Sequence, residues 1–340
     1  MMRPANPTAA SLLLALILVA IVAAVTVTMM QLSGGSQRIA TDAMIKLSIV
    51  VGMYIFVGNS GVLSFGHISF LGIGAYTAAW LTIPPSIKAS LMPGLPAWLA
   101  AAELHPALAA VCAGLLAAFV ALIFGLPLTR LSGIAASIGT FALLVIFYAI
   151  FSNWTPVTGG QGSLYGLPPF TKLPIAAGVA SLAIVAAALY QASPTGFRLR
   201  GSREDPVAAM AAGIDIRRER LIAFVASAFF VGVAGALYAH FLTVVVAGEF
   251  YLKLTFITVA MLVIGGMRSL TGAVAGVAFV AVLSELLRQT ERGFDLGFVF
   301  IGGRLGLQEV GLATAMLLAL IFRPKGITRG REIAGLGTST

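Results

Sequence analysis

Residues 193–220 read S-P-T-G-F-R-L-R-G-S-R-E-D-P-V-A-A-M-A-A-G-I-D-I-R-R-E-R, a water-facing stretch with six arginines between two long apolar segments. Within it, Asp205 is suited to cap a helix, Pro206 to occupy its first position and Gly213 to follow its last. Val207, Met210, Ala211 and Ile214 fall at i, i+3, i+4 and i+7, which gives that helix one small apolar face. A helix of about seven residues does not hold by itself in water. It needs neighbours and a docking partner, so the stretch is a candidate coupling element.

The rest of the chain decides what is coupled. Of its 340 residues, 59% are hydrophobic and 10% charged, and the mean hydropathy is +1.01. A soluble domain carries roughly a quarter charged residues. The fold class is therefore all-α, a polytopic transmembrane helical bundle. At about 20 apolar residues per crossing the chain holds nine or ten spans with no room for a large soluble domain, and residues 1–340 read as one transmembrane domain. The net charge of +9 sits mostly in loops that flank apolar runs. That pattern is topology control rather than a nucleic-acid surface. Cys112 lies in an apolar run and, being the sole cysteine, excludes a disulfide framework or thiolate metal site. The first apolar run exceeds a signal-peptide core and lacks a small-residue cleavage site, so it reads as a retained span.

In order, the expected spans are 8–30, 43–57, 66–82, 107–128, 133–152, 174–191, 221–246, 253–267, 271–287 and 308–322. Lys46, four residues after Asp42, suggests an ion pair near a membrane face. Ten crossings place both termini, the 193–220 loop and the basic tail 323–340 on one side. That side then holds thirteen basic residues (Arg3, Arg130, the six of the loop, Arg268 and four of the tail) against eight on the other. Positive charge marks the cytoplasmic side.

Two stretches interrupt the apolar pattern with glycine: 58–77, G-N-S-G-V-L-S-F-G-H-I-S-F-L-G-I-G-A-Y-T, and 265–276, G-G-M-R-S-L-T-G-A-V-A-G. Paired breaks of this kind are tolerated where backbone lines a cavity, which makes Asn59, Ser64, His67, Tyr76, Gly265 and Gly266 pathway candidates. The alternative is close helix packing through small residues, as the spacing of Gly272 and Gly276 allows. For His67, Tyr76 and Asn59 the plainer reading is a hydrogen-bonded packing residue. Glu204 and Asp205 are first of all helix-start residues.

No G-x-x-x-x-G-K-[ST] occurs, so the usual cradle for ATP phosphates is missing. Gly72 and Gly74 begin a G-x-G, but position 77 is Thr and the setting is a membrane helix. His67, His105 and His240 are scattered, and no metal-ligand spacing is present. Asp42, Glu103, Glu249, Asp295 and Glu309 lie near span ends or in loops. Glu285, the deepest carboxylate, has Arg288 within a turn. A chain without its own energy source is a passive channel or a permease driven by other subunits.

Five stretches carry a resemblance. S-G-V-L-S-F-G-H-I-S-F-L-G-I-G-A-Y-T-A-A (60–79), T-G-G-Q-G-S-L-Y-G-L-P (158–168), R-E-D-P-V-A-A-M-A-A-G-I-D (203–215), G-A-L-Y-A-H (235–240) and R-P-K-G-I (323–327) resemble, in that order, LivM-type permeases of branched-chain amino acid ABC importers. The chain departs from that pattern at Ala247-Gly248-Glu249, where a Ser-Pro turn is common, and at 267–270, M-R-S-L in place of L-G-T-L. The resemblance implies a type II ABC importer permease of the bacterial inner membrane. It would work with a related second permease chain, two cytoplasmic ATPases and a periplasmic solute-binding protein, surrounded by membrane lipid and with no cofactor of its own. In that picture Pro206 to Ala212 dock on an ATPase, and Glu204, Asp205, Ala208, Ala209 and Gly213 are the coupling residues. The cargo would be leucine, isoleucine or valine, with urea, another amide or an aromatic acid as the alternative. A self-sufficient secondary carrier and a membrane enzyme are rivals from other classes. They are disfavoured by the missing proton relay and by the lack of any nucleophile–base or metal constellation.

Overall fold

Inside a hydrocarbon layer every backbone N–H and C=O needs a partner from the protein, and a helix supplies one locally. The computed structural model describes residues 7–291, 294–295, 300–301, 306–323, 326–330 and 332–333. Its long apolar segments are helical. The chain runs through α1 (Pro7–Met30), α2 (Gly34–Ser60), α3 (His67–Thr82), two short helices α4 (Pro85–Leu91) and α5 (Ala97–Ala100), then α6 (Pro106–Leu128), α7 (Gly133–Asn153) and α8 (Thr155–Thr158). After β1 (Ser163–Tyr165) come α9 (Leu173–Ala192), α10 (Pro194–Glu204), α11 (Pro206–Ala211) and α12 (Ile216–Leu242). β2 (Val244–Val246) and a 3-10 turn at Ala247–Phe250 lead into α13 (Leu252–Gly265) and α14 (Leu270–Glu291). A small antiparallel pair, β3 (Phe294–Asp295) and β4 (Phe300–Ile301), precedes α15 (Leu307–Phe322). Arg3, Lys325, Arg331 and residues 334–340 of the expected basic flanks lie outside the described residues.

Eight of these elements are at least 18 residues long and apolar enough to cross a membrane, with the 3-10 turn and α13 counted as one. Helices α3 and α15, of 16 residues each, occupy the third and tenth expected spans. Sixteen residues rise about 24 Å against a hydrocarbon layer of about 30 Å, so about ten crossings stand, two of them short. Two starts differ from expectation. Helix α2 begins at Gly34 rather than near residue 43, because the S-G-G-S turn closes directly onto it. The expected Lys46–Asp42 ion pair then lies along its side. Helix α12 begins at Ile216 rather than at Leu221, because Asp215 Oδ1 accepts from the N–H groups of Arg217 (3.1 Å) and Arg218 (3.2 Å).

The middle of the bundle is α2, α3 and α12. Every residue of α2 from Leu47 to Ser60 is buried, as is α3 from His67 to Ala79. Helix α12 packs on α6, α3 and α2, and α9 bridges α2 and α1. Helices α1, α6 and α7 turn Leu16, Leu108, Leu115, Ile134 and Ile138 outward. Such outward apolar faces suit lipid or another membrane chain. Contact between α3 and α12 is backbone to backbone: a Cβ on Gly74 would collide with the carbonyl oxygen of Gly232, and one on Gly235 with that of Leu71. The same holds for α13 and α14, where Gly265 and Gly276 face the carbonyls of Gly272 and Met261. The glycines of 265–276 thus serve helix packing.

One end of the bundle is closed by loops. β1 pairs antiparallel with β2, Ser163 opposite Val246 and Tyr165 opposite Val244. Trp80 Nε1 donates to Val157 O (3.0 Å), and Gly94 N to Pro156 O (2.9 Å). Lys88, buried in the α4–α5 hairpin, donates its ammonium to the carbonyls of Leu99 and Ala102. Burial lowers the Lys88 pKa and Glu103 nearby raises it. The opposite end carries α10 and α11.

Gly74→Val should lower the stability of the inserted protein by about 2 kcal/mol or more, the cost of overpacking a filled contact. Gly178→Ala on α9, where an added Cβ meets nothing within 4 Å, should be neutral or slightly stabilising. Thermal unfolding in detergent, followed by fluorescence-detected chromatography, separates the two.

Candidate functional site

The loop-end stretch is not a loop. Its first half is helix α10, which the spacing of its residues does not announce, and three side chains set its turns. Ser193 Oγ accepts from Gly196 N (3.1 Å) at the start of α10. Asp205 Oδ1 accepts from Val207 N (2.9 Å) and Ala208 N (3.0 Å), which starts α11 as its capping geometry leads one to expect. Pro206 has no N–H to leave unpaired there. Gly213, at φ +79°, turns the chain out of α11 in a conformation that costs other residues energy. Asp215 then starts α12.

Helix α10 is bolted to the end of α2. Arg203, with its side chain 12% exposed, donates from Nη1 to the carbonyl of Gly58 at 2.7 Å. Its Nε and Nη2 hold Glu204 Oε1 at 2.9 and 2.7 Å. Glu204 in turn faces Arg268 at 3.8 Å, in the turn between α13 and α14. Gly61, at φ +71°, leaves room for this: a Cβ there would stand 2.6 Å from Arg203 Cγ. Beside it, Arg200 Nη1 reaches Asn59 Oδ1 at 3.5 Å and its guanidinium lies 4.8 Å from the Phe197 ring centre. Burial lowers the Arg200 pKa, while Tyr54 and Glu332 raise it. An arginine stays charged in such a setting. Arg198 pairs with buried Glu219 at 3.3 Å.

The five coupling candidates therefore divide. Glu204 faces the arginines, Asp205 caps, and Ala209 packs inward at 6% exposure. Ala208 and Gly213 are exposed. Beside them Val207 and Met210 are 72% and 59% exposed, so the small apolar face of α11 meets no other part of the described chain. An exposed apolar face mounted on a charged, cross-linked base can receive a partner and pass its displacement inward.

The pathway candidates lie deeper. Asn59 Nδ2 donates to Ile55 O (2.9 Å) in its own helix, and its oxygen meets Arg200, so this residue belongs to the joint. Ser64 Oγ and His67 Nδ1 are 2.7 Å apart. The His67 ring sits among Phe56, Phe70 and Phe224 at 5.7, 6.0 and 5.5 Å, and its Nε2 has no hydrogen-bond partner among the described residues. Tyr76 stacks on Phe151 at 4.5 Å with its hydroxyl likewise unpartnered. All four side chains are buried within the chain. The 61–66 break is held to α7: Phe65 N donates to Thr140 Oγ1 (3.2 Å) and Ser137 Oγ to Leu63 O (2.7 Å). Gly265 and Gly266 sit at the α13–α14 elbow, Gly266 at φ +119°. The structure thus brings Glu204, Asn59 and this elbow to one end of the bundle and leaves Tyr76 apart. The three histidines have separate partners, with His105 accepting from Ala107 N and His240 bonded to Pro168 O. The expectations passed over Arg200, Arg203 and Arg268 as joint residues. Arg203 lies inside a quoted motif, but nothing in its spacing shows that it reaches back to Gly58.

Arg203→Ala strips the Gly58 carbonyl of its donor and releases Glu204. Amides of residues 198–204 should then exchange about tenfold faster with solvent, with α12 unchanged, as mass spectrometry of exchanged peptides can read. Arg203, through its hydrogen bond and charge, keeps the Glu204 carboxyl below its ordinary pKa. The tie therefore persists through neutral and mildly acid solution and is lost only as pH falls beneath the usual glutamate range.

Over residues 35–322 the chain matches the family model described as branched-chain amino acid transport system/permease component. It is 27% identical to the high-affinity branched-chain amino acid transport system permease protein LivM of Escherichia coli, over 92% of this chain and 74% of that one. The LivM protein of Salmonella typhimurium is also 27% identical, over 87% of this chain and 70% of its own. A probable branched-chain amino acid transport permease protein LivH of Methanocaldococcus jannaschii is 30% identical over 39% of this chain and 40% of its own. No solved structure matches. With all but its two ends inside the match, and apolar helices of the length and number that a multi-pass carrier needs, the chain belongs to the permease-component family of branched-chain amino acid transport systems.

Proposed function

We propose that this chain is one permease subunit of an ATP-driven importer that moves branched-chain amino acids across a bacterial inner membrane. The observation that carries the reading is the exposed apolar face of α11, Val207 and Met210, on a base tied by Arg203 to the end of α2. The chain has no P-loop sequence, so work has to be delivered from outside it. In this reading two ATPases receive α11, a related second permease chain faces one of the bare helix surfaces, and a solute-binding protein docks on the β1–β2 end. The α10–α11 end and both termini are cytoplasmic, in keeping with the distribution of arginine and lysine. Family membership and the printed function of the LivM relatives support the cargo. Urea, another amide or an aromatic acid remains the alternative within the family.

Mechanically, ATP must bind one arrangement of the assembly better than another, or nothing is pumped. A push on α11 passes through Asp205 into α10. From there the Arg203–Gly58 bond and the Glu204–Arg268 pair carry it to α2 and to the α13–α14 elbow. The joint is charged and partly wet, so its separate pairs are weak. Its stiffness comes from several contacts sharing the load.

Val207→Asp or Met210→Asp should abolish ATP-dependent uptake and the solute-stimulated part of ATP hydrolysis in reconstituted vesicles, with insertion unchanged. Normal uptake in both variants would exclude α11 as the docking element. Ala209 is a poor probe, since it faces inward. Expressed without partners, the chain should accumulate no solute against a gradient; concentrative uptake would favour a secondary carrier. With Cys112 replaced by Ser, a cysteine at position 207 should react with a membrane-impermeant maleimide in inside-out vesicles and not in intact cells.

A further inference from the structure

The C-terminal segment does more than end the chain. Ile327 N donates to Ile264 O (2.8 Å) and Thr328 N to Gly265 O (3.2 Å), two carbonyls at the end of α13. Thr328 Oγ1 adds a bond to Gly265 O (3.0 Å) and meets Ser269 Oγ at 2.8 Å. Gly326, at φ +73°, lies directly against the backbone of Gly266, and Gly330 lies against the side chain of Arg268. A few residues on, the Glu332 carboxylate occupies the start of α14. It accepts from Leu270 N (2.7 Å), Thr271 N (3.0 Å) and Thr271 Oγ1 (2.6 Å), while Gln191 Nε2 at the end of α9 reaches it at 3.3 Å. Helix N-termini leave donors unpaired and favour negative charge. Here the cap comes from about sixty residues away in sequence.

We propose that Gly326–Ile333 is a strap across the α13–α14 elbow and that Glu332 is its positioning residue, fixing the start of α14 to the end of α9 so that a displacement of α10 moves α14 with it. Glu204 reaches the same elbow through Arg268, so the strap and the coupling joint grip one turn from two sides. The α13–α14 turn itself offers little resistance to bending. Gly265, Gly266 and Gly272 pack backbone on backbone and hold no side chain that could lock the angle. Without the strap, a push at Arg268 would flex the elbow instead of turning the helix. The mechanical role rests on the permease reading; the contacts do not.

The test has two arms. In the purified full-length chain, Glu332→Ala should speed exchange of the Leu270 and Thr271 amides about tenfold, with α2 and α12 unchanged. Unchanged exchange at those two amides overturns the strap. In vesicles holding the chain with its ATPases, Glu332→Ala should cut the solute moved per ATP hydrolysed by about fivefold or more. Thr271→Val should do the same, and the double variant should fall no further, because both remove one interaction. Uptake and hydrolysis falling in parallel, or additive losses, would mean a merely structural residue and overturn the positioning role. If the unaltered chain moves no solute with ATPases present, the permease reading fails, and the exchange arm still judges the strap.

Discussion

A backbone carbonyl set free where a helix stops near the hydrocarbon layer must find a donor, and this requirement shapes the functional end of the bundle. Helix α2 stops at Ser60 and the Gly58 carbonyl is met by Arg203 from α10. Helix α13 stops at Gly265, whose carbonyl is met by Thr328 from the tail. The donors that α14 leaves open at its start go to Glu332. In each case the partner is remote in sequence and lies outside the spans. Satisfying the breaks and attaching the peripheral elements are one event, and this is why the loop end behaves as a mechanical unit.

The glycines that permit these breaks also set the packing. Between α3 and α12, and between α13 and α14, the absence of a Cβ lets backbones touch. In lipid, where apolar burial gives little preference for one helix neighbour over another, such contacts are a main source of cohesion. The arrangement is stiff where helices touch and pliant where the glycines turn. A carrier needs both properties. The middle of the chain keeps α2, α3 and α12 as a fixed core, and the elbows at 61–66 and 266–269 supply the places where angles can change.

Charge is concentrated where water is. Arg203, Glu204 and Arg268 form a short relay at the loop end, and Arg198 with Glu219 forms a second tie. Deeper side chains are aromatic or hydroxylic. His67 sits in a ring of phenylalanines and Tyr76 on Phe151, each with one polar atom unpartnered. Such atoms are costly to bury, and their presence in α3 marks that helix as the part of the core with unspent polar capacity.

Much was legible from residue order. Apolar runs of about twenty residues placed the spans to within a few residues, since a membrane leaves the chain few other conformations. Asp205, Pro206 and Gly213 specified α11 because caps and stops act over a few bonds. The five motif stretches pointed to the family that the chain proved to belong to. Helix α10 was not legible: its arginines and glycines carry no apolar face, and it is held by contacts to α2. Nor could spacing show that Ala209 faces inward while Val207 does not, that Asn59 belongs to the joint, or that Glu332 caps α14. Those facts depend on which remote segments meet. Sequence by itself determined the helices and their local ends, because hydrophobicity and capping are short-range. Only the tertiary structure decided which free carbonyl each arginine and threonine serves, because that depends on how the helices pack.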